Sequence, residues 1–171
     1  MTEHLPEQIN GSAPEWFPVS RLKLFVMSIV TGGIYELYWF YKNWVLVKRR
    51  ENSDISPFWR AFFAFFFCYS LFSRIKQSAI ACGIATQLAP GWLAAGWIVL
   101  TMTWRLPGPA WLICYLAIFL LLPIQKTIIA VNEITAPDSD KNGRFSAGNV
   151  VGIVLGGAVF LLALVGTFLP D

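Results

Sequence analysis

The sequence predicts an all-α integral membrane protein built as a small helical bundle of three to five membrane segments. Its 171 residues are 56% hydrophobic and 16% aromatic but only 13% charged, whereas about a quarter of the residues in a soluble domain are charged. No charge lies between Lys76 and Arg105, between Arg105 and Lys126, or between Arg144 and Asp171. Each gap is long enough for a helix to cross a hydrocarbon core, which takes about 17–25 residues.

The chain reads as one helical membrane domain, residues 21–170, behind an N-terminal tail. Residues 1–20 contain acidic residues, Pro6 and Gly11 but no basic cluster. They do not resemble a secretory signal, and we expect a short disordered cytoplasmic tail. The apolar segments that follow are expected at about 21–47, 57–75, 87–104, 110–131 and 146–169.

The first segment is a broken helix followed by an aromatic and basic belt. Thr31-Gly32-Gly33 interrupts the apolar run Leu22–Val30, because each glycine weakens a helix by about 1 kcal/mol. The stretch Ile34–Trp44 is amphipathic and rich in Tyr and Trp, which favour the headgroup level of a membrane.

The second segment has a clear start signal. Ser56 suits the N-cap and Pro57 suits the first helical position. An apolar run of fifteen residues, Phe58–Phe72, contains Arg60 near its start and is followed by Arg74 and Lys76.

The third and fourth segments form a predicted hairpin. The turn Arg105–Pro109 contains Pro and Gly, which stop one helix and preset the next. The fifth segment follows a polar loop, Thr135–Arg144, which is rich in Asp, Lys, Asn and Gly.

Charge counting leaves two topologies open. If all five segments span, seven basic residues lie on the N-terminal side and six lie on the opposite side, a split that sets no orientation. If segments one and two instead enter and leave by one face, as re-entrant or interfacial helices, the split becomes twelve against Arg105 alone. This second arrangement, with three true spans and a cytoplasmic N-terminus, is the favoured one.

Glu36 and Arg60 are a candidate buried ion pair. Glu36 lies among aromatic residues, where an ionised carboxylate is costly unless it is paired. Arg60 is the lone charge within the next apolar helix. The pair is interpreted as a clamp between the first two segments, with a proton or headgroup site as the alternative.

A basic and aromatic group follows Glu36 along the first segment, and its members are candidate contacts to lipid headgroups. Each such charge is worth about 1 kcal/mol near an anionic surface. Simple anchoring of the topology is the alternative. The residues are Lys42, Trp44, Lys48, Arg49 and Arg50.

Two further patterns concern packing. Gln125 with Asn132, and Lys126 with Glu133, are spaced by seven residues and form a polar stripe. The stripe is interpreted as stitching between helix and loop, or as a site at the membrane mouth.

Glycines four residues apart allow helices to approach closely in lipid, and the fifth segment has three such glycines. These are Gly148, Gly152 and Gly156, and their partner helix is either internal or in another chain.

The sequence offers few residues that could carry out catalysis. The single histidine, His4, lies in the expected tail, and Cys68, Cys82 and Cys114 show no metal-binding spacing. We therefore expect no catalytic, cofactor-binding or metal site of a known type. The net charge of +3 gives no reason to expect nucleic acid as a partner.

The motif from Thr31 to Trp44, followed by Ser56-Pro57-Phe58-Trp59-Arg60-Ala61, resembles a bacterial family of small multi-spanning membrane proteins. That family is catalogued as a domain of unknown function. The resemblance covers about residues 17–77 and more loosely 125–149. It implies a multi-pass protein of the bacterial inner membrane and no catalytic residue.

Three functions remain open. The leading hypothesis is a non-enzymatic membrane subunit or scaffold that associates by helix packing, as a homo-oligomer or with a partner membrane protein. It would contact the lipids of the cytoplasmic leaflet, including anionic ones. The alternatives are a small transport or permeation protein that acts as an oligomer, and a lipid-modifying enzyme that uses Glu36 or Glu133.

Overall fold

The computed structural model describes residues 13–168, and this part of the chain contains α-helices and short 3-10 helices but no strand. The prediction of an all-α protein is therefore confirmed. The two 3-10 helices, Thr103–Arg105 and Gly108–Leu116, lie between the fifth and sixth α-helices. The seven α-helices are α1 Arg21–Val30, α2 Ile34–Glu51, α3 Pro57–Phe62, α4 Ala64–Ala81, α5 Pro90–Met102, α6 Ala117–Thr135 and α7 Ala147–Phe168.

The first predicted segment folds as two helices around the expected glycine break. The Ser20 side chain caps α1 by accepting from the backbone N–H of Lys23. Gly32 and Gly33 have φ angles of +58° and +86°, a region that glycine enters without a steric penalty. The Gly33 N–H donates to the Ser28 carbonyl at 2.9 Å, which ends α1 and turns the chain into α2.

The second predicted segment is also broken, at Phe63, which separates α3 from α4. Pro57 occupies the first turn of α3 as predicted, but the Ser56 side chain makes no capping hydrogen bond. Helix α4 continues to Ala81, beyond Arg74 and Lys76. The fifteen-residue apolar run is therefore not one helix.

Two helical stretches of the described chain are long and apolar enough to cross a membrane, Gly108–Thr135 and Ala147–Phe168. A third of the most apolar window of the first stretch is buried inside the protein. None of the residues of α7 is buried. A helix that is apolar on every side and has no buried residue, although one face of it contacts α1, matches the composition of a membrane span.

The prediction of a disordered tail over residues 1–20 is wrong for its second part. Residues 1–12 lie outside the described residues, and so does His4. Trp16, Phe17 and Val19 are 0%, 5% and 1% exposed and belong to the main core. This segment has no regular helix, so its backbone groups need partners from side chains.

One end of the bundle collects most of the charged residues. Lys23, in the first turn of α1, contacts the loop 136–146, and Glu51, at the end of α2, pairs with Arg74 of α4. Arg50 donates to the Glu15 carbonyl. We call this region the polar end, and define it as residues 13–23, the last turn of α2, residues 74–78 of α4 and the loop 136–146.

The core is aromatic at its centre. The ring of Phe40 lies 5.1 Å from those of Trp39 and Trp97 and 6.0 Å from that of Phe72, between ring centroids. These four side chains come from α2, α4 and α5 and are at most 2% exposed. Aromatic pairs at such distances add about 0.5–1.5 kcal/mol each beyond the area they bury.

Candidate functional site

A small cavity lies beside Glu36, among α1, α2, α5 and the stretch 108–118. Its volume is about 110 Å³. The Gly32-Gly33 turn and Trp104 also line it, which places it away from the polar end. The polar side chains around it are Ser28, Glu36, Thr101, Cys114 and Tyr115.

Glu36 is 7% exposed and is held by one hydrogen bond from a tryptophan. The indole N–H of Trp97 donates to Glu36 Oε2 at 2.8 Å. The Trp97 ring is itself fixed between Phe40 and Phe65, at centroid distances of 5.1 and 5.6 Å. A carboxylate can accept about four hydrogen bonds, so this one contact satisfies only part of its capacity.

Two hydroxyl groups at the cavity are also incompletely satisfied. The hydroxyl oxygens of Ser28 and Thr101 are buried and have no hydrogen-bond partner among the described residues. Ser28 as a whole is 2% exposed. Buried polar groups normally have hydrogen-bond partners. This cavity therefore brings together two hydroxyl groups without partners and a carboxylate that accepts one hydrogen bond from the described residues.

The predicted ion pair between Glu36 and Arg60 is wrong. Among the described residues, Glu36 takes part in no salt bridge. The guanidinium of Arg60 instead lies over the rings of Trp44 and Phe67, at 4.5 and 5.2 Å from their centroids. Aromatic faces attract a guanidinium, so α3 is tied to α2 and α4 by this stacking.

The candidate headgroup contacts separate into two groups. Trp44 is 0% exposed and lies under Arg60, so its prediction as a headgroup contact is wrong. Arg50 already makes contacts within the protein, because its guanidinium lies 4.6 Å from the centroid of the Trp16 ring and pairs with Glu15. Lys42 lies 5.8 Å from the Phe17 ring centroid. Lys48 and Arg49 are exposed.

The polar stripe of α6 divides between the inside and the outside of the protein. Gln125 and Asn132 are 0% and 6% exposed, whereas Lys126 and Glu133 are exposed. Each residue of a helix is turned by about 100° from the one before it, so neighbours do not share a face. The two carboxamides stitch the helix to the N-terminal segment, as one of the two interpretations predicted.

Three buried carboxamides hold the extended residues 16–19. Asn132 accepts from the Trp16 N–H at 3.0 Å and donates to the Trp16 carbonyl at 2.8 Å. Asn43 accepts from the Phe17 N–H at 3.0 Å. Gln125 donates to the Val19 carbonyl at 2.8 Å and accepts from the indole of Trp39 at 2.7 Å. These bonds replace the ones that a helix would supply.

The glycine stripe of α7 packs within the chain, against α1. A Cβ atom at Gly156 would collide with the backbone of Val30 and Thr31, and one at Gly152 would lie 3.4 Å from the Met27 side chain. Gly148 has only Ser146 within 4 Å of such an atom. Internal packing is thus confirmed for two glycines, and Gly148 takes no part in it.

Several residues of these sites were not predicted from the sequence. Trp97, Ser28 and Thr101 sit in unremarkable apolar runs, and only the fold brings them to Glu36. Lys23 was not predicted as a site residue either. Its ammonium donates to Asn142 Oδ1 and to the Arg144 carbonyl, both at 2.8 Å. Burial lowers the pKa of Lys23 below its usual value, and the nearby Asp140 opposes this effect.

Comparison with protein families, with curated proteins and with solved structures finds no match for this chain. The description of the site therefore depends on its geometry. Within the described residues no group of three or more His, Cys, Asp or Glu side chains is placed to hold a metal ion. Glu36 is the one buried acid in that part of the chain.

Proposed function

We propose that the protein is a non-enzymatic subunit or scaffold of the bacterial inner membrane whose polar end lies at the cytoplasmic headgroup layer. The observation that carries this proposal is the segregation of charge in a bundle with two long, apolar helices. Nine of the thirteen basic residues belong to the polar end, whereas Arg105 lies in the turn after α5. The nine are Arg21, Lys23, Lys48, Arg49, Arg50, Arg74, Lys76, Lys141 and Arg144.

The course of the helices supports the arrangement with three spans. Both ends of the α1–α2 hairpin lie at the polar end, and so do the start of α3 and the end of α4. In the proposed arrangement the remaining path makes three crossings, along α5, the stretch Gly108–Thr135 and α7; the last two are long and apolar enough to cross by themselves, whereas α5 has 13 residues. Basic residues favour the cytoplasmic side, which supports a cytoplasmic position for the polar end. The resemblance of residues 17–77 to bacterial multi-spanning proteins agrees with this location.

Reporter fusions test this topology. We expect a fusion after Arg50 and a fusion after Lys76 both to report a cytoplasmic position, because the two residues lie at the same end of the bundle. A fusion after Arg105 should report the opposite side and serves as the control. Opposite sides for Arg50 and Lys76 would mean that α3 and α4 cross the membrane, and would contradict the proposal.

The surface available for association is the outer face of α7. Gly152 and Gly156 are already used against α1, so a partner helix would contact the residues that point away from α1. Leu162 and Val154 are 73% and 63% exposed. At the polar end, the exposed Lys48 and Arg49 remain available for anionic lipid headgroups, each worth about 1 kcal/mol there.

Photo-crosslinking tests the association. A photoreactive amino acid at Leu162 should give a discrete protein adduct in native membranes, either with a second copy or with one partner protein. The same probe at Phe66, which is 80% exposed on α4, is the control and should react mainly with lipid. Lipid adducts alone at both Leu162 and Val154 would overturn the scaffold proposal.

A second candidate is a small permeation protein, and the cavity at Glu36 favours it. A route along the polar stripe of α6 would be closed at Gln125, which is fully buried and has hydrogen-bond partners for both its carboxamide atoms. A pathway would therefore have to use Glu36 without Arg60. Since three spans enclose little space, the chain would need to act as an oligomer.

A further inference from the structure

The cavity beside Glu36 brings together oxygen atoms that lack partners, in a part of the bundle remote from the polar end. We infer that it is a binding site for a small monovalent cation, with Na⁺ as the fitting ion. The inference does not depend on the proposed scaffold role or on a permeation role, since a resident ion can serve either protein.

Glu36 is a buried acid without a counter-charge in the described part of the chain. Glu36 is 7% exposed, and its ionised form requires a counter-charge when it is withdrawn from water. Among the described residues no cationic side chain lies within salt-bridge distance of it, and Arg60 is engaged with Trp44 and Phe67. A cation in the cavity would supply the missing charge.

The cavity offers oxygen atoms that can bind a cation. Glu36 Oε2 is used by Trp97, whereas Oε1 accepts no hydrogen bond from the described residues. The hydroxyl oxygens of Ser28 and Thr101 line the same cavity and have no partner there. Carboxylate and hydroxyl oxygens are the ligands that hard cations prefer. One ion would engage these three groups at the cavity; the other buried polar atoms without a partner in the described chain, Trp44 Nε1 and Ser53 Oγ, do not line it.

The charge and the volume of the site favour a monovalent ion. A single carboxylate balances one positive charge, whereas sites for Ca²⁺ and Mg²⁺ use more oxygen ligands or several retained waters. A volume of about 110 Å³ exceeds that of a bare ion. It leaves room for a few waters, each of which needs roughly 10–15 Å³ on this measure. The cavity therefore fits a partly hydrated monovalent ion.

A proton is the natural competitor for this site. Besides Glu36 itself, the titratable groups that face the cavity are the Cys114 thiol and the Tyr115 phenol, both from the 3-10 helix Gly108–Leu116. Helices α1 and α5 contribute the two hydroxyls and the Trp97 indole, and the 3-10 helix Thr103–Arg105 contributes the exposed Trp104. Tyr35 is the neighbour of Glu36 on α2. Ion binding should therefore weaken as the pH falls and Glu36 takes up a proton.

Binding of radioactive Na⁺ to the purified full-length protein in detergent tests the inference. At about pH 8, where an ordinary carboxyl group is ionised, we expect saturable binding of one ion per chain. Choline at the same ionic strength should not displace it. Glu36→Gln should weaken binding at least about tenfold, and Ser28→Ala should weaken it by a smaller factor, since a contact to a charged group is worth more than one to a neutral group. The control is Glu133→Gln, which removes an exposed acid and should bind as the wild type does.

Several outcomes would overturn the inference. They are no saturable binding by the wild type, equal displacement by choline, or unchanged binding by a folded Glu36→Gln variant. If that variant does not fold, as circular dichroism would show, Ser28→Ala and Thr101→Val decide the matter. Unchanged Na⁺ affinity in both would show that the cavity holds only water.

Discussion

Replacing Asn132 by leucine is expected to lower the free energy of unfolding more than any other single substitution of a polar residue considered above. Leucine fills a similar volume but leaves both the N–H and the carbonyl of Trp16 without a partner at a residue that is 0% exposed. Each buried group left unpaired costs about 1–3 kcal/mol, so the loss should be roughly 2–6 kcal/mol. Unfolding by SDS in mixed micelles, followed by circular dichroism, measures it.

Two further variants make that measurement specific. Asn132→Asp keeps an acceptor for the Trp16 N–H but loses the donor to the Trp16 carbonyl, so an intermediate loss is expected. Glu133→Gln changes the next residue, whose side chain is 54% exposed, and should stay within about 0.5 kcal/mol of the wild type. Equal stability of Asn132→Leu and Glu133→Gln would show that residues 16–19 are not held by this carboxamide.

Replacing Gly156 by alanine is expected to destabilise the protein by about 1–3 kcal/mol, the usual range for an overpacked site. The new methyl group would collide with the carbonyl oxygen of Val30, and would lie 3.0 Å from its carbonyl carbon and 3.3 Å from Thr31 Cα. These are backbone atoms next to the Gly32-Gly33 turn, so they cannot rotate aside as a side chain would. Helix α7 should therefore move away from α1.

The adjacent glycine supplies the matched control. A Cβ atom at Gly157 meets nothing within 4 Å, and alanine favours a helix over glycine by about 1 kcal/mol. Gly157→Ala should therefore be neutral or stabilising in the same SDS unfolding measurement. Both variants gain the same helix propensity, so only the contact with α1 separates them. A similar effect of the two substitutions would disprove close packing at Gly156.

Local features of the fold could be predicted from the sequence. The break at Gly32-Gly33 and the start of α3 at Pro57 follow from the backbone preferences of glycine and proline. The apolar gaps between charges likewise place helices close to where they occur. These signals act over a few residues and need no knowledge of what packs against them.

Partners distant in sequence could not be predicted. We expected an ion pair between Glu36 and Arg60, the nearest cation within an apolar run. The hydrogen bond to Glu36 comes instead from Trp97, 61 residues away. An aromatic surface competes for a guanidinium, and in this fold Trp44 and Phe67 satisfy Arg60 first. The ordered structure of residues 13–20 could not be predicted for a similar reason. Pro14 and Pro18 interrupt this short segment and disfavour a helix, whereas Trp16, Phe17 and Val19 acquire their role only when Asn43, Gln125 and Asn132 are present.

The hydrogen bonds between Trp16 and Asn132 connect positions 116 residues apart, which constrains when the protein can be completed. A ribosome that adds about 5–20 residues per second needs roughly 6–23 s to reach Asn132 after Trp16. Until then neither hydrogen bond can form, and the bond from Gln125 to the Val19 carbonyl likewise has to follow the synthesis of α6. Residues 16–19 can therefore close over α6 only after most of the chain has been made, with α7 still to follow.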